Sequence, residues 1–173
     1  GANFGLRISC LLFATLFQTV FGDETTVRVL IFSSTASVRF SGEMVLAVDS
    51  SGRKKNLPQS FETHLEEKGL QLGRHLIQAP LRLSASGPIG IEGNLYRGEI
   101  LLHENAGRIL VINELSPEEY LLGVVPKEVP ANFPQEALKA QAVVSRTFLL
   151  KNLQKYPNRP YQITATVLDQ VYG

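Results

Sequence analysis

Few residues of this chain combine a reactive side chain with an unusual setting, and Glu128 comes first among them. It lies between Pro126 and Pro130, with Val129 and Phe133 close by. The prolines restrict the backbone on both sides, and the apolar neighbours favour a carboxyl partly withdrawn from water. Desolvation of that kind raises a carboxyl pKa, which is what a general acid at neutral pH requires. The alternative is a solvated loop residue paired with Lys127 or Lys139, and composition alone favours it. Arg146 is open in the same way: a guanidinium on the inner side of a helix could clamp a sugar or support Glu128, whereas a surface arginine is the ordinary expectation. Gln141 and Ser145 could donate hydrogen bonds to hydroxyl groups or simply satisfy nearby backbone.

Other chemistries are poorly represented. The three histidines, His64, His75 and His103, are scattered, and the single cysteine, Cys10, has no partner for a disulfide or a zinc cluster. Seventeen Lys and Arg against sixteen Asp and Glu give a net charge of +1 without a long run of one sign. That balance argues against a nucleic-acid partner, whose phosphates call for a basic stripe. With 44% hydrophobic residues in 173, the chain has enough apolar side chains for a real core, which excludes global disorder.

The elements that would carry Glu128 and Arg146 can be read from local pattern. Ser116-Pro117-Glu118-Glu119 is a strong helix start: the serine caps free amides, proline suits the first helical position, and Glu119 closes a capping box. This helix is predicted to stop before Pro126, leaving Glu128 in a proline-pinned connector that runs to Phe133. Pro134 opens a second helix from Gln135 to about Leu153. Ala137, Val144 and Phe148, with Leu138, Ala142 and Leu149 on a neighbouring stripe, give it one apolar face, and Gln135, Lys139 and Arg146 fall on another side.

Upstream the periodicity is that of short strands: Val27–Phe32, Ser37–Phe40, Met44–Val48, Leu81–Leu83, Ile89–Ile91, Leu95–Leu102 and Arg108–Ile112. A hairpin turn is expected at His103–Gly107, and the polar stretch Lys54–Gln78 reads as loops with a short irregular strand or helix. Tyr161–Val167 reads as a further strand. At the start, Arg7 precedes the apolar run Ile8–Phe21, with Val20 and Gly22 at small-residue cleavage positions. Residues 1–22 therefore read as a signal peptide, the alternative being an uncleaved membrane anchor. Cleavage would leave no cysteine.

The block Asn113–Pro130, followed by Phe133–Thr147, resembles the stage II sporulation protein D family, also described as the amidase-enhancer family. The family pattern has EEYL-GVV, E-M-P and W-P-EALKAQAVAARTY segments, which fall here on Glu118–Val125, Glu128–Pro130 and Phe133–Phe148. Tyr96-Arg97-Gly98 and Gln170-Val171-Tyr172-Gly173 also resemble family segments, and the likeness thins between Lys54 and Gln78. Two apolar positions depart from the pattern: Val129 stands where the family has methionine, and Phe133 where it has tryptophan.

The resemblance implies an α+β fold, with a β-rich part over residues 23–113 and a helix-connector-helix catalytic segment and further strand over 114–173. It implies a lytic transglycosylase that cleaves the MurNAc-GlcNAc bond of peptide-stripped peptidoglycan glycan strands, leaving 1,6-anhydro-MurNAc, in sporulation or division. Glu128 takes the catalytic role, and Arg146, with Lys139 and Gln141 on the same helix, the substrate side. The other implied reading is a non-catalytic wall-binding module that stimulates a partner N-acetylmuramoyl-L-alanine amidase. Either role is extracytoplasmic: secreted, periplasmic or wall-associated, with a membrane only through an uncleaved signal segment. Some family members carry Cys and His zinc ligands before Q-V-Y-G; Ile163–Asp169 has neither type, so no metal and no cofactor are expected. Family members continue beyond Q-V-Y-G, so the resemblance further implies that the chain is C-terminally truncated and its groove incomplete.

Overall fold

The computed structural model describes residues 26–130, 132–166 and 169–173. The expected signal peptide lies outside the described residues, as do Val167 of the last expected strand and Ala131 of the connector.

Among the described residues twelve strands precede the helices: β1 (Val27–Ser34), β2 (Val38–Ser41), β3 (Leu46–Asp49), β4 (Lys54–Asn56), β5 (Ser60–Glu66), β6 (Gly69–Leu72), β7 (His75–Ile77), β8 (Leu81–Ser84), β9 (Ile89–Ile91), β10 (Asn94–Tyr96), β11 (Glu99–Asn105) and β12 (Arg108–Leu115). The helices α1 (Pro117–Glu128) and α2 (Gln135–Lys155) follow, then the short strand β13 (Ile163–Thr164). The fold is α+β and mostly strand, as expected. The strands form two sheets, ordered β13-β1-β12-β11-β8-β3-β4 and β10-β9-β2-β5-β6-β7.

Alternation along the strands builds the first core. Val38 and Phe40 of β2, Phe61 of β5 and Leu70 and Leu72 of β6 join Ala47, Leu81, Leu83, Ile100, Leu102, Ile109 and Val111 from the other sheet in one apolar cluster. Phe40 and Phe61 stack with ring centroids 5.3 Å apart. A second cluster forms where β1, β12 and β13 meet the helices: Val27, Val29, Leu115 and Ile163 pack with Tyr120, Leu121, Val124 and Leu149. β12 serves both, giving Ile109 and Val111 to the first and Leu115 to the second, so it is a nearly continuous buried run. An irregularity in the β1–β12 register between Leu30 and Phe32 leaves Ile31 packed against both clusters.

Four local expectations are corrected. Lys54–Gln78 holds four strands rather than loops with one short irregular strand or helix. In β5 the inward residues are Phe61 and Thr63, while Glu62 and His64 point outward and mask the alternation. Thr63 satisfies its buried hydroxyl by donating to the Gln71 carbonyl at 2.8 Å. The predicted strand Leu95–Leu102 is broken at Gly98, whose φ of 79° turns the chain from one sheet to the other. A Cβ there would stand 2.4 Å from the Glu114 carbonyl oxygen, so only glycine fits. The hairpin turn narrows to Ala106 and Gly107, both with left-handed φ, and pairing persists to Asn105 and Arg108. The fourth correction concerns α1 and bears directly on Glu128.

Candidate active site

Helix α1 starts as its sequence dictates. The Ser116 hydroxyl accepts from the Glu119 amide at 3.3 Å, and the Glu119 carboxylate accepts from the Ser116 amide at 3.0 Å, a closed capping box with Pro117 in the first turn. The Ser116 amide and hydroxyl hold the Glu119 carboxyl below its ordinary pKa. Tyr120, Leu121 and Val124 face inward.

The helix does not stop before Pro126; it runs through it to Glu128. A proline in the last turn forfeits one ladder bond, to the carbonyl of Leu122, and Leu122 is 66% exposed, so the loss falls on the outer side. The stop is set by Pro130, which disfavours helical geometry at the preceding residue: Val129 is extended (φ −135°, ψ 131°) while its amide still donates to the Val125 carbonyl. Glu128 is thus the final residue of a helix rather than a connector residue, and it is exposed rather than withdrawn from water.

What holds Glu128 comes from the far end of the chain. The Val171 amide donates to Glu128 Oε1 at 2.8 Å. On either side of Val171 the chain is pinned to buried groups. The Tyr120 hydroxyl donates to Gln170 Oε1 at 2.9 Å, and the Tyr172 hydroxyl donates to Asn113 Oδ1 at 2.5 Å. Asn113, fully buried in β12, in turn donates through Nδ2 to the carbonyls of Arg97 and Glu99, which flank Gly98. The Tyr172 ring stacks on Tyr120 at 5.3 Å and lies against Gly123, where a Cβ would stand 2.5 Å from it. Burial first, then the charge of Asp169 for Tyr120 and the neighbouring Tyr96 for Tyr172, push both phenols well above their ordinary pKa, so both remain donors at physiological pH.

The other expected site residues lie apart from this cluster. Arg146 donates through Nη2 to both oxygens of Glu118, each at 2.7 Å. Glu118 is in the first turn of α1 and Glu128 in the last, about 15 Å apart along the axis at 1.5 Å per residue. Lys139 pairs with Glu136 at 2.9 Å on the exposed first turn of α2, and Gln141 Nε2 donates to the buried Ser145 hydroxyl at 3.3 Å. Among the described residues none of the three hydrogen-bonds to Glu128, and no group of three His, Cys, Asp or Glu side chains is gathered to hold a metal. The expected apolar face of α2 is corrected as well: Leu149 is buried, but Val144 is exposed, and the other buried residue is Ser145.

Comparison with known proteins points the same way as the sequence motifs. The family model described as "Stage II sporulation protein" matches residues 105–173, the span that carries α1, α2 and the Gln170–Tyr172 anchor. The chain is similar to stage II sporulation protein D of Bacillus subtilis, 50% identical over 40 residues, which are 23% of this chain and 12% of that protein. It is also similar to stage II sporulation protein D of Bacillus amyloliquefaciens, 38% identical over 65 residues (35% and 19%). Over residues 105–173 the chain matches the stage II sporulation protein family. A further relative, an uncharacterised protein of Brachyspira hyodysenteriae, is 37% identical over 84 residues, 48% of this chain and 23% of its own length. The matched stretches thus span less than a quarter of these family members and relatives, and no solved structure matches the chain.

Family resemblance singled out Glu128 but not its supports. Two signals pointed to them. Gly123 interrupts an otherwise good helix at a cost of about 1 kcal/mol relative to alanine, which calls for a packing reason. The Gln170–Gly173 segment matched the family without a role.

Proposed function

We propose that this chain carries the acid centre of a peptidoglycan lytic transglycosylase. The enzyme would cleave the MurNAc-GlcNAc bond of peptide-stripped glycan strands outside the cytoplasm, in wall remodelling during sporulation or division. The observation that supports this reading is the access of Glu128 to a substrate, which replaces the desolvation expected from the sequence. Its carboxyl is exposed at the end of a helix, Oε1 is engaged by the Val171 amide, and Oε2 has no partner among the described residues. One oxygen is held and the other is open to a substrate.

The chemistry needs no second carboxylate. Protonated Glu128 gives its proton to the glycosidic oxygen as the bond to the muramoyl anomeric carbon breaks, releasing the GlcNAc hydroxyl. The 6-hydroxyl of the same muramoyl residue attacks that carbon, and its proton returns to the Glu128 carboxylate. The nucleophile is part of the substrate, so the paired carboxylates of an ordinary glycosidase are not required.

The test is to incubate the full-length protein with denuded glycan strands and follow 1,6-anhydro-muramoyl ends by mass spectrometry. The expected result is anhydro product that falls at least about a hundredfold in Glu128→Gln, in line with general-acid contributions. Glycan binding without any anhydro product from the intact protein would overturn the enzymatic reading and leave a wall-binding module acting on an amidase.

A further inference from the structure

We propose that Gln170–Tyr172 is a built seat for the Glu128 carboxyl, with Tyr172 as its positioning residue. The proposal rests on Glu128 being the acid. A single-acid mechanism has no second carboxylate to orient the first, so the side chain of a surface glutamate must be held by something else to spare it a search through its rotamers. The Val171 amide does this. A backbone donor has no rotamers of its own, and at 2.8 Å it selects Oε1 and leaves Oε2 to carry the transferable proton.

An amide is a fixed donor only if its neighbours are fixed, and here both are. Gln170, buried, receives the Tyr120 hydroxyl; Tyr172 gives its hydroxyl to Asn113. Tyr120 and Gly123 belong to the same helix that ends in Glu128, so one helix carries both the acid and the surface against which its holder is clamped. Asn113 extends the clamp to the Arg97–Glu99 crossover between the sheets. The Tyr96 ring lies tilted against that of Tyr172, with centroids 6.2 Å apart. The family-like segments at Tyr96–Gly98, Asn113–Pro130 and Gln170–Gly173 thereby meet at one tyrosine.

Two variants test the seat in the full-length protein. Tyr172→Phe keeps the ring and removes the bond to Asn113; Gly123→Ala places a methyl against the ring. Both are read by amide hydrogen exchange at Val171 and by steady-state kinetics on denuded glycan, with thermal unfolding as a check that the fold persists. The expected result is a Val171 amide protected in the parent protein and exchanging at least about tenfold faster in either variant. With it, kcat falls about tenfold and KM stays within a factor of about two. The double variant is expected to be little worse than the poorer single one, because both act through one seat. Unchanged Val171 exchange, or a loss carried by KM, overturns the proposal. So does parental kcat in Tyr172→Phe beside an inactive Glu128→Gln. Should the parent protein make no anhydro ends, the enzymatic reading alone falls, and exchange at Val171 still decides whether the seat exists.

Discussion

Between the two sheets the packing is almost wholly apolar: Phe40 stacks on Phe61, and the cluster around them draws on strands of both sheets. Between the larger sheet and the helices the apolar cluster is smaller, and a polar chain runs beside it, from the Arg97 and Glu99 carbonyls through Asn113 and Tyr172 to Val171 and Glu128. The first region stabilises by area removed from water, which is non-directional and tolerant of approximate placement. The second adds directional contacts, which contribute less net stability but fix where an atom sits. That division assigns rigidity to the sandwich and positioning to the helical end.

The largest effect is expected where the apolar packing is deepest. Phe40→Ala removes a fully buried ring and its stacking partner, and should destabilise the protein by about 3–5 kcal/mol in urea unfolding. A loss below about 1 kcal/mol would mean that the sandwich is not the rigid half. Tyr172→Phe is expected to be the mirror image, with a small change in unfolding and a large one in kcat.

Acid offers a second way to separate the regions. In the sandwich, Asp49 accepts from the Ser51 hydroxyl at 2.6 Å, from the Ser51 and Arg53 amides and from Arg53 Nε, and the Ser51 bond leads in lowering its pKa from 3.8 to about 2. A carboxyl depressed on folding adds stability that is present above its unfolded pKa and is lost as pH falls through the folded value. The β3–β4 turn should therefore weaken between about pH 4 and pH 2, and Asp49→Asn should flatten the fall of unfolding free energy over that window. An unchanged slope would show that other carboxylates govern it.

Ser116→Ala comes next, at about 1 kcal/mol, because it removes the hydroxyl that caps α1 and leaves the Glu119 carboxylate only the backbone amide of residue 116. Its value as a test lies in distance: the cap is at the opposite end of α1 from Glu128. Stability should drop while the anhydro-forming rate at a temperature well below unfolding stays within about twofold. A large kinetic loss would show that the helix transmits its start to its end.

How much of this was legible in the sequence follows the range of each interaction. The capping box, the start of α2 at Gln135 and most strand positions depend on neighbours within a few residues, and each was read close to where it lies. Pro126 misled because its local penalty was weighed without the rest of the last turn. The real stop came from Pro130, two residues beyond Glu128. In β5 charged residues on the solvent face hid an alternation that the core enforces at Phe61 and Thr63. The support of Glu128 was beyond local reading altogether: its bonds join residues 43, 50 and 59 positions apart, and no spacing rule reaches that far. Resemblance supplied the residue, and only the fold supplied what holds it.

The smallest expected effect sharpens the comparison from the outside of α2. Val144 was read as core because its spacing matches Ala137 and Phe148, the stripe beside Leu149's, yet it is 60% exposed, while Leu149 is fully buried against β1, β13 and α1 residues. Solvent exposure means that replacing the valine side chain forfeits little transfer free energy, and serine is close to valine in helix propensity. Val144→Ser should therefore change unfolding by no more than about 0.5 kcal/mol, against about 2–5 kcal/mol for Leu149→Ala. Urea unfolding of both variants in the full-length protein measures the contrast. A cost above about 1 kcal/mol at Val144 would mean that this face of α2 is covered in the folded protein, and the helical end would then owe its stability to apolar burial in the same way as the sandwich.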